Sequence, residues 1–588
     1  MSNASQVLTQ AATLELFISF HDQKVYSKVT YSLLVLSLSL SKLTFDTLNL
    51  KIKAVSLGSF ALGAATNSLG TPLTVTLDTE VKQGEVVTLS IEAECGAESL
   101  GLVWMTAEQT TGKQHPFLFT QFEPIYCRSL VPIQDLPSVK FPVKYQITVP
   151  KPLRVVTAAA PSHEETLVPG HTTFFSHMQY PIPAYLIAFA AGDIAYRDIG
   201  PRSRVYAEPE VVEAAAWEFA DTERMLSVGV GLLTPYEWGK YDLLVLPPAF
   251  PYGGMENPTL TFMTPTVLAG DRSLVSIVAH ELAHSWAGNL VTNKSWEHFW
   301  LNEGLTTYIE NRIMRELLGD SATDVIVDNQ IKSLETFIQG KMTDSPGETR
   351  LKTELGENNP DDTYSIVPYY KGMCFFVHLE GLVGGPLAFL PFLREYFHHF
   401  AFKSLDSYEF KDFFTGKFPE ISVDWDLWLH GEGMPVQLPS INISLVLAQV
   451  QSLLDHFLDP GFTPQPCDIA DWSIAQVTLF LKKVEKDPLP QHLQMATAYG
   501  LSTTRNKELQ FYWLSIVLRL KAENHYAEVV AMLSSQGRMK YVRPLFRLLE
   551  SVGEQSLARS IFAANKSFYS LIVRRLLLQT HPWLSETS

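Results

Sequence analysis

"HELAH" stands at His280–His284, inside the apolar segment "VAHELAHSWAGNL" (Val278–Leu290). Two imidazoles and a carboxylate are costly among Val, Leu, Ala and Trp unless they share a partner. The spacing of Leu274, Ile277, Val278, Leu282 and Trp286 predicts a helix over Ser273–Leu290, with no proline to interrupt it. Residues four apart lie one above the other on a helix, so His280 and His284 can aim both rings at one ion. Glu281, one residue round, can reach a ligand on that ion without binding it. This is the H-E-x-x-H arrangement of a zinc helix with a general base. Alone, the five-residue pattern leaves open two separately partnered histidines. A catalytic zinc also needs a third protein ligand and an open position.

"WEHFWLNEGLTTYIENR" (Trp296–Arg312) offers that ligand. Glu303 stands nineteen residues after His284, behind the apolar run Phe299–Trp300–Leu301, so it is expected to face inward. The plainer reading is a capping or salt-bridging carboxylate. A second helix beginning here, antiparallel to the first, would bring Glu303 against the histidines. Glu310 lies seven residues on, on the same face, and is the candidate partner for a ligand histidine's other nitrogen.

"HELAH", eighteen residues, then the glutamate of "WLNEG", together with "FPYGGMENP" (Phe250–Pro258), resembles the gluzincin aminopeptidases, the family of aminopeptidase N. The resemblance implies one Zn2+ per chain on His280, His284 and Glu303, with Glu281 as general base. Zinc would lower the pKa of bound water to about 7 and polarise the scissile carbonyl. Glu281 would take the water's proton and pass it to the leaving amine.

An aminopeptidase must also hold a free α-ammonium. In "GGMEN", Gly253 and Gly254 let a backbone approach closely, Met255 follows, and Glu256 presents an acid beside them. In the family this glutamate binds the substrate amine and the glycines bind its backbone. "TQFEP" (Thr120–Pro124) adds Glu123, by itself an ordinary loop acid, which the resemblance makes a second amine anchor. Gln121 is expected to line the same wall. "VPYYKG" is similar to the family's "VPYEKG", which assigns to Tyr369 rather than Tyr370 the phenol that donates to the oxyanion. Read alone, both tyrosines are ordinary half-buried aromatics.

"YDLLVLPPAFPYGGMENPTLTF", "LAGDRSL" and "GNLVTNKSWEHFWLNEG" resemble the leukotriene A4 hydrolase branch of the family, with aminopeptidase B as a cousin. Locally, "GRMKYVRPLF" (Gly537–Phe546) reads as a solvated basic turn; the resemblance implies that Arg538 and Lys540 bind a substrate carboxylate. It also implies that Asp361 delivers water to an epoxide or meets basic side chains of peptides, and that Tyr364 sits near a lipid site. One departure stands out: that branch has glutamine where this chain has Glu123. A second acid favours peptidase work on basic N-terminal residues. The expectation is therefore a zinc metallo-aminopeptidase acting on short peptides, with epoxide hydrolysis of a fatty-acid epoxide as the alternative. Every chemical position is filled, which argues against a silent binding scaffold.

The elements that position these residues require several cores, since a single core rarely grows past about 250–300 residues and the chain has 588. Hydrophobic residues are 46% and charged residues 18%, as in globular proteins. A formal charge of −17 argues against a nucleic-acid partner and suits cationic substrates. Cys95, Cys127, Cys374 and Cys467 are too scattered for a disulfide framework or a metal site. The first residues lack the basic and apolar regions of a signal peptide, and no apolar run approaches the roughly 20 residues that span a bilayer. A cytoplasmic monomer with no membrane partner is expected.

Residues 1–197 alternate polar and apolar as strands do. Residues 198–432 hold the zinc motifs and read as mixed, mostly helical. "HGEGMPVQLPS" (430–440) reads as a linker, and 441–588 as helical pairs. The fold class is multidomain α+β. The resemblance implies an N-terminal β-sandwich-like saddle, a thermolysin-like catalytic domain and a C-terminal α-helical superhelix of armadillo/HEAT type, meeting at the active site.

Overall fold

A computed structural model describes residues 2–66 and 69–586. Three domains follow one another: β-rich, mixed and all-helical.

The first is built on a seven-stranded sheet, in the order Ala160–Glu165, His171–Pro183, Lys140–Pro150, Val7–Ser19, Lys24–Val35, Val86–Cys95, Lys51–Val55. Its strands alternate as period-two patterning requires. Leu14, Leu16 and Ile18 of the first strand are buried while the residues between them are half exposed. A three-stranded sheet of Ser39–Thr47, Thr71–Lys82 and Ser59–Leu62 lies beside it. A four-stranded sheet faces the rest of the molecule, and two of its strands, Phe117–Thr120 and Phe189–Gly192, are buried throughout. The chain leaves Thr120 directly into Gln121 and Glu123, so this buried strand fixes where those two emerge.

The second domain opens on a five-stranded sheet ordered Ala195–Asp198, Arg204–Ala207, Asp242–Val245, Leu260–Met263, Gly254–Met255. The strand Ala195–Asp198 runs across the 197/198 division and pairs inside this sheet. Asp242–Val245 and Leu260–Met263 pair in parallel and are wholly buried, as covered parallel strands are. The short strand Gly254–Met255 closes the edge antiparallel, in register Gly254 with Met263 and Met255 with Phe262.

The helix Ser276–Ala283 packs on the edge strand of this sheet, the helix Trp300–Leu318 packs on it in turn, and Val367–Leu382 packs on Trp300–Leu318. The first is shorter than the apolar periodicity predicts. It ends at Ala283 with His284 as C-cap, and the chain then turns through Gly288 at φ +118° into a bridge between Ala287 and Val291. Gly288 has no space for a side chain, because a Cβ would lie 2.9 Å from His284 Nδ1. Burial produces the apolar pattern here; beyond the end of the helix, Gly288 with its positive φ turns the chain.

From Ser444 onward the described chain is helical, and its core, including Val450, Phe480, Trp513, Ile516, Leu545, Phe546 and Val573, is separate from the large core of the first two domains. Lys371 ties the intervening segment down: its ammonium donates to the carbonyls of Thr349, Gly431 and Gly433 at 2.7–2.9 Å. All four cysteines are free thiols, three of them buried. Among the described residues no single helix is long and apolar enough to cross a membrane.

Candidate active site

His280 and His284 face Glu303 across the first two site helices. Glu303 Oε2 lies 3.5 Å from His280 Nε2 and 3.4 Å from His284 Nε2. It is buried and accepts no hydrogen bond. The outer nitrogens are occupied. His280 Nδ1 meets Glu310 Oε2 at 2.9 Å, and His284 Nδ1 meets the carbonyl of Ala287 at 2.9 Å. A carbonyl can only accept, so Nδ1 of His284 carries a proton, and the neutral ring would present its Nε2 lone pair inward. Thr306 braces the pair, its hydroxyl donating to Ala287 O at 2.9 Å.

These residues fit a zinc ion. Two inward imidazole nitrogens and an orphaned carboxylate oxygen lie within 4.8 Å of one another. Ligands about 2.0–2.1 Å from a tetrahedral ion sit roughly 3.3 Å apart, close to the separations seen. Both histidines donate outward, to Glu310 and to a carbonyl, as zinc-bound histidines do.

The electrostatics show a pocket built for positive charge. Burial disfavours charge on the imidazoles, yet Glu303 and Glu310 push His280 well above its ordinary value, and Glu256 and Glu303 push His284 up to about 9. Burial alone would raise Glu303; His284 and His280 overcome it and hold the carboxyl down to about 2. Burial carries Glu281 up to about 8 against the pull of the two histidines.

Glu281 is held against the edge strand. A Cβ on Gly254 would lie 2.3 Å from Glu281 Oε1, and one on Gly253 would lie 2.8 Å from Arg538 Nη2. These two glycines are therefore required by what crosses above them. Gly254–Met255 is an edge, so it can pair with an extended peptide. Met255 is buried and takes Gln121 Nε2 on its sulfur at 3.4 Å, joining the first domain to the second.

Glu123, Glu256 and Glu303 bring carboxylate oxygens within 4.8 Å of one another. One oxygen of each is buried and unpartnered. Burial and then the neighbouring acids, Glu256 first, raise the Glu123 carboxyl well above its usual range. Three acids so placed suit a cation.

Tyr369 stacks on His280, ring centroids 6.0 Å apart, and its hydroxyl is 3.1 Å from that of Tyr364. Burial and then Glu303 push its phenol well above the ordinary value, so it remains a donor. Tyr370 instead packs with Leu334, Ile338 and Val367. The structure separates two tyrosines that the residues alone leave equivalent.

Asp361 Oδ2 accepts the phenol of Tyr126 at 2.8 Å. Arg538 donates to Thr266 Oγ1 at 3.1 Å and is set by two backbone bonds, Gly537 N to Pro248 O and Met539 N to Pro251 O, both 2.9 Å. Lys540 is paired with Glu508, 2.7 Å away, and lies with Arg538 over the ring of Tyr541. Sequence reasoning missed Tyr126, Thr266, Thr306 and Tyr252. Tyr252 alone carried a signal, lying within "FPYGG"; its phenol feels Asp361 and Tyr126 in addition to burial.

With this geometry in place, the comparisons with known proteins are specific. The Peptidase M1 N-terminal domain matches residues 9–186, the Peptidase family M1 domain 217–426, and the leukotriene A4 hydrolase C-terminal domain 472–580. The chain is 38% identical to a leukotriene A-4 hydrolase of Xenopus laevis, over 96% of this chain and 95% of that one. It is also 38% identical to a leucine aminopeptidase 2 of Sclerotinia sclerotiorum, over 98% and 97%. The structure of yeast LTA4 hydrolase in complex with bestatin superposes with a TM-score of 0.92 at 34% identity, covering 98% of this chain and 96% of that one. Motif, donor geometry and three matched domains agree that this chain belongs to peptidase family M1, the zinc aminopeptidases, in the three-domain form that ends in a leukotriene A4 hydrolase C-terminal domain.

Proposed function

We propose that this chain removes N-terminal residues from short peptides, basic ones by preference, and that a single chain holding one zinc ion does so. What carries the reading is the trio Glu123, Glu256 and Glu303, whose unpartnered oxygens converge beside His280 and His284. An α-ammonium on Glu123 and Glu256 puts the first peptide bond next to Glu303 and Glu281, so the site cuts one residue from the end.

His280, His284 and Glu303 would hold the zinc, which supplies Lewis acidity toward a carbonyl and water. Glu281 takes a proton from the attacking water and returns it to the leaving amine. Tyr369 donates its phenol proton's hydrogen bond to the oxygen that gains charge. The Gly253–Met255 edge binds substrate backbone, with Gln121 closing the wall. Arg538 faces the far end and suits a peptide carboxylate; Lys540, at the same turn, adds positive charge there. Asp361 meets the side chain of the first residue, which favours Arg or Lys. All these groups come from one chain, in keeping with a monomer. Three buried free thiols are in keeping with a cytoplasmic protein.

Two relatives carry the name leukotriene A4 hydrolase, and the Tyr364 hydroxyl stands 3.1 Å from that of Tyr369, so turnover of a fatty-acid epoxide is the second reading. Leukotriene A4 turnover that survives Asp361→Asn would count against it.

The test is hydrolysis of Arg- and Ala-aminoacyl coumarin amides by the zinc-loaded protein, beside Glu281→Gln and Nα-acetylated substrates. Hydrolysis by the parent only, abolished by acetylation, is expected. Ala or Leu amides cleaved far faster than Arg would overturn the basic preference.

A further inference from the structure

Tyr126 stands three residues beyond Glu123, at the entry to the turn Cys127–Ser129, and is 8% exposed. Three hydrogen bonds close a ring between it and the turn Pro360–Thr363 of the second domain. Its O–H donates to Asp361 Oδ2 at 2.8 Å. Asn359 Nδ2 donates to the phenol oxygen at 3.3 Å, and Asn359 Oδ1 accepts the backbone N–H of Asp361 at 3.0 Å.

A carboxylate on a short turn between two domains is otherwise free to change rotamer. Here one oxygen is fixed from the neighbouring domain, which leaves the other with a set direction. The choice of fixing group matters. An arginine or lysine would orient the carboxylate but spend its charge. A phenol, with an ordinary pKa near 10, orients it and keeps its own proton, so the hydrogen bond leaves the negative charge to a cation, while Arg575 acts on Asp361 only through space. The segment Thr120–Tyr126 thus places two acids of the cleft, Glu123 directly and Asp361 through the phenol.

We propose that Tyr126 is a positioning residue for substrate selection, aiming Asp361 at a basic side chain on the first residue of the peptide. This rests on the reading of Asp361 as the partner of that side chain.

The experiment measures kcat and KM for Arg- and Ala-aminoacyl coumarin amides with the zinc-loaded parent, Tyr126→Phe, Asp361→Asn and the double variant. Tyr126→Phe keeps the ring and removes only the donor. It should lower the Arg/Ala ratio of kcat/KM by about 3- to 10-fold, the worth of one hydrogen bond, through KM for the Arg substrate. Asp361→Asn should lower the ratio at least as far, and adding Tyr126→Phe to it should change nothing more. An unchanged ratio in Tyr126→Phe, with a lowered one in Asp361→Asn, would overturn the proposal and leave the ring as a domain tie. An unchanged ratio in Asp361→Asn would instead overturn the role of Asp361 itself.

Discussion

Gly304 and Gly372 let the helices Trp300–Leu318 and Val367–Leu382 meet backbone to backbone. A Cβ on Gly304 would lie 2.7 Å from Gly372 Cα and 3.0 Å from Pro368 O; one on Gly372 would lie 2.8 Å from Gly304 Cα. The close approach, not a left-handed backbone, demands glycine. Gly304 follows the ligand Glu303, and Gly372 sits one turn after Tyr369, so this contact sets how far the phenol stands from the zinc ligands. Gly372→Ala should push the helices apart at a cost of about 1–3 kcal/mol. A lowered melting temperature and a kcat that falls more than KM rises are expected. Kinetics and melting on the same preparation check it; full kcat at the lower melting temperature would reject the spacing argument.

Glu310 orients His280 through the 2.9 Å contact to Nδ1. Glu310→Gln weakens that acceptor and should raise the zinc dissociation constant by roughly 10-fold or more. Competition with a chelator of known affinity measures it. Unchanged zinc affinity would remove Glu310 from the metal's support.

Tyr369 and Tyr370 are adjacent in sequence but face different neighbours, one stacked on His280 and the other among Leu334, Ile338 and Val367. Loss of a donor to an oxyanion costs about 10²- to 10³-fold in kcat. Tyr369→Phe should therefore fall by about that factor, while Tyr370→Phe stays within a few-fold of the parent. Equal effects would reject the assignment.

His492, 3% exposed, accepts the Leu489 N–H on Nδ1 at 2.8 Å in the helical domain. Burial lowers it to about 4, against the opposite pull of Asp487. The unfolded imidazole titrates near 6.5, so between pH 6.5 and 4 the unfolded chain binds more protons. Stability is therefore lost as pH falls through that window. His492→Asn offers an amide oxygen to the same N–H without titrating. Its melting temperature should fall less than the parent's between pH 7 and 4.5; parallel losses would exclude this histidine as a source of the acid sensitivity.

Much of the chemistry was legible along the chain because it is local. Four-residue spacing on a helix brings His280 and His284 together whatever surrounds them. The apolar run before Glu303 turns it inward, and seven residues on the same face carry Glu310 to His280, where the structure places it. Sheet alternation in Val7–Ser19 and the helical pairs after Ser444 follow from periodicity in the same way. The early stop of the Ser276–Ala283 helix was less legible, since burial continues the apolar pattern past Gly288.

What sequence could not fix is whatever depends on distance between segments far apart in the chain. Glu123 and Glu256 come from different domains, and only packing brings their oxygens to Glu303. The choice between Tyr369 and Tyr370 depends on which side of one helix faces His280. Arg538 reaches Gly253 because residues 537–539 bond to 248–251, nearly three hundred positions earlier. Tyr126 has no motif to mark it, and its role exists only through Asp361, 235 residues away. Short-range order is written by repeating backbone geometry, so the sequence determined the helix that carries His280, Glu281 and His284; the cluster of Glu123, Glu256 and Glu303 and the Tyr126–Asp361 contact arise where the first two domains pack into one core, and tertiary structure alone decided them.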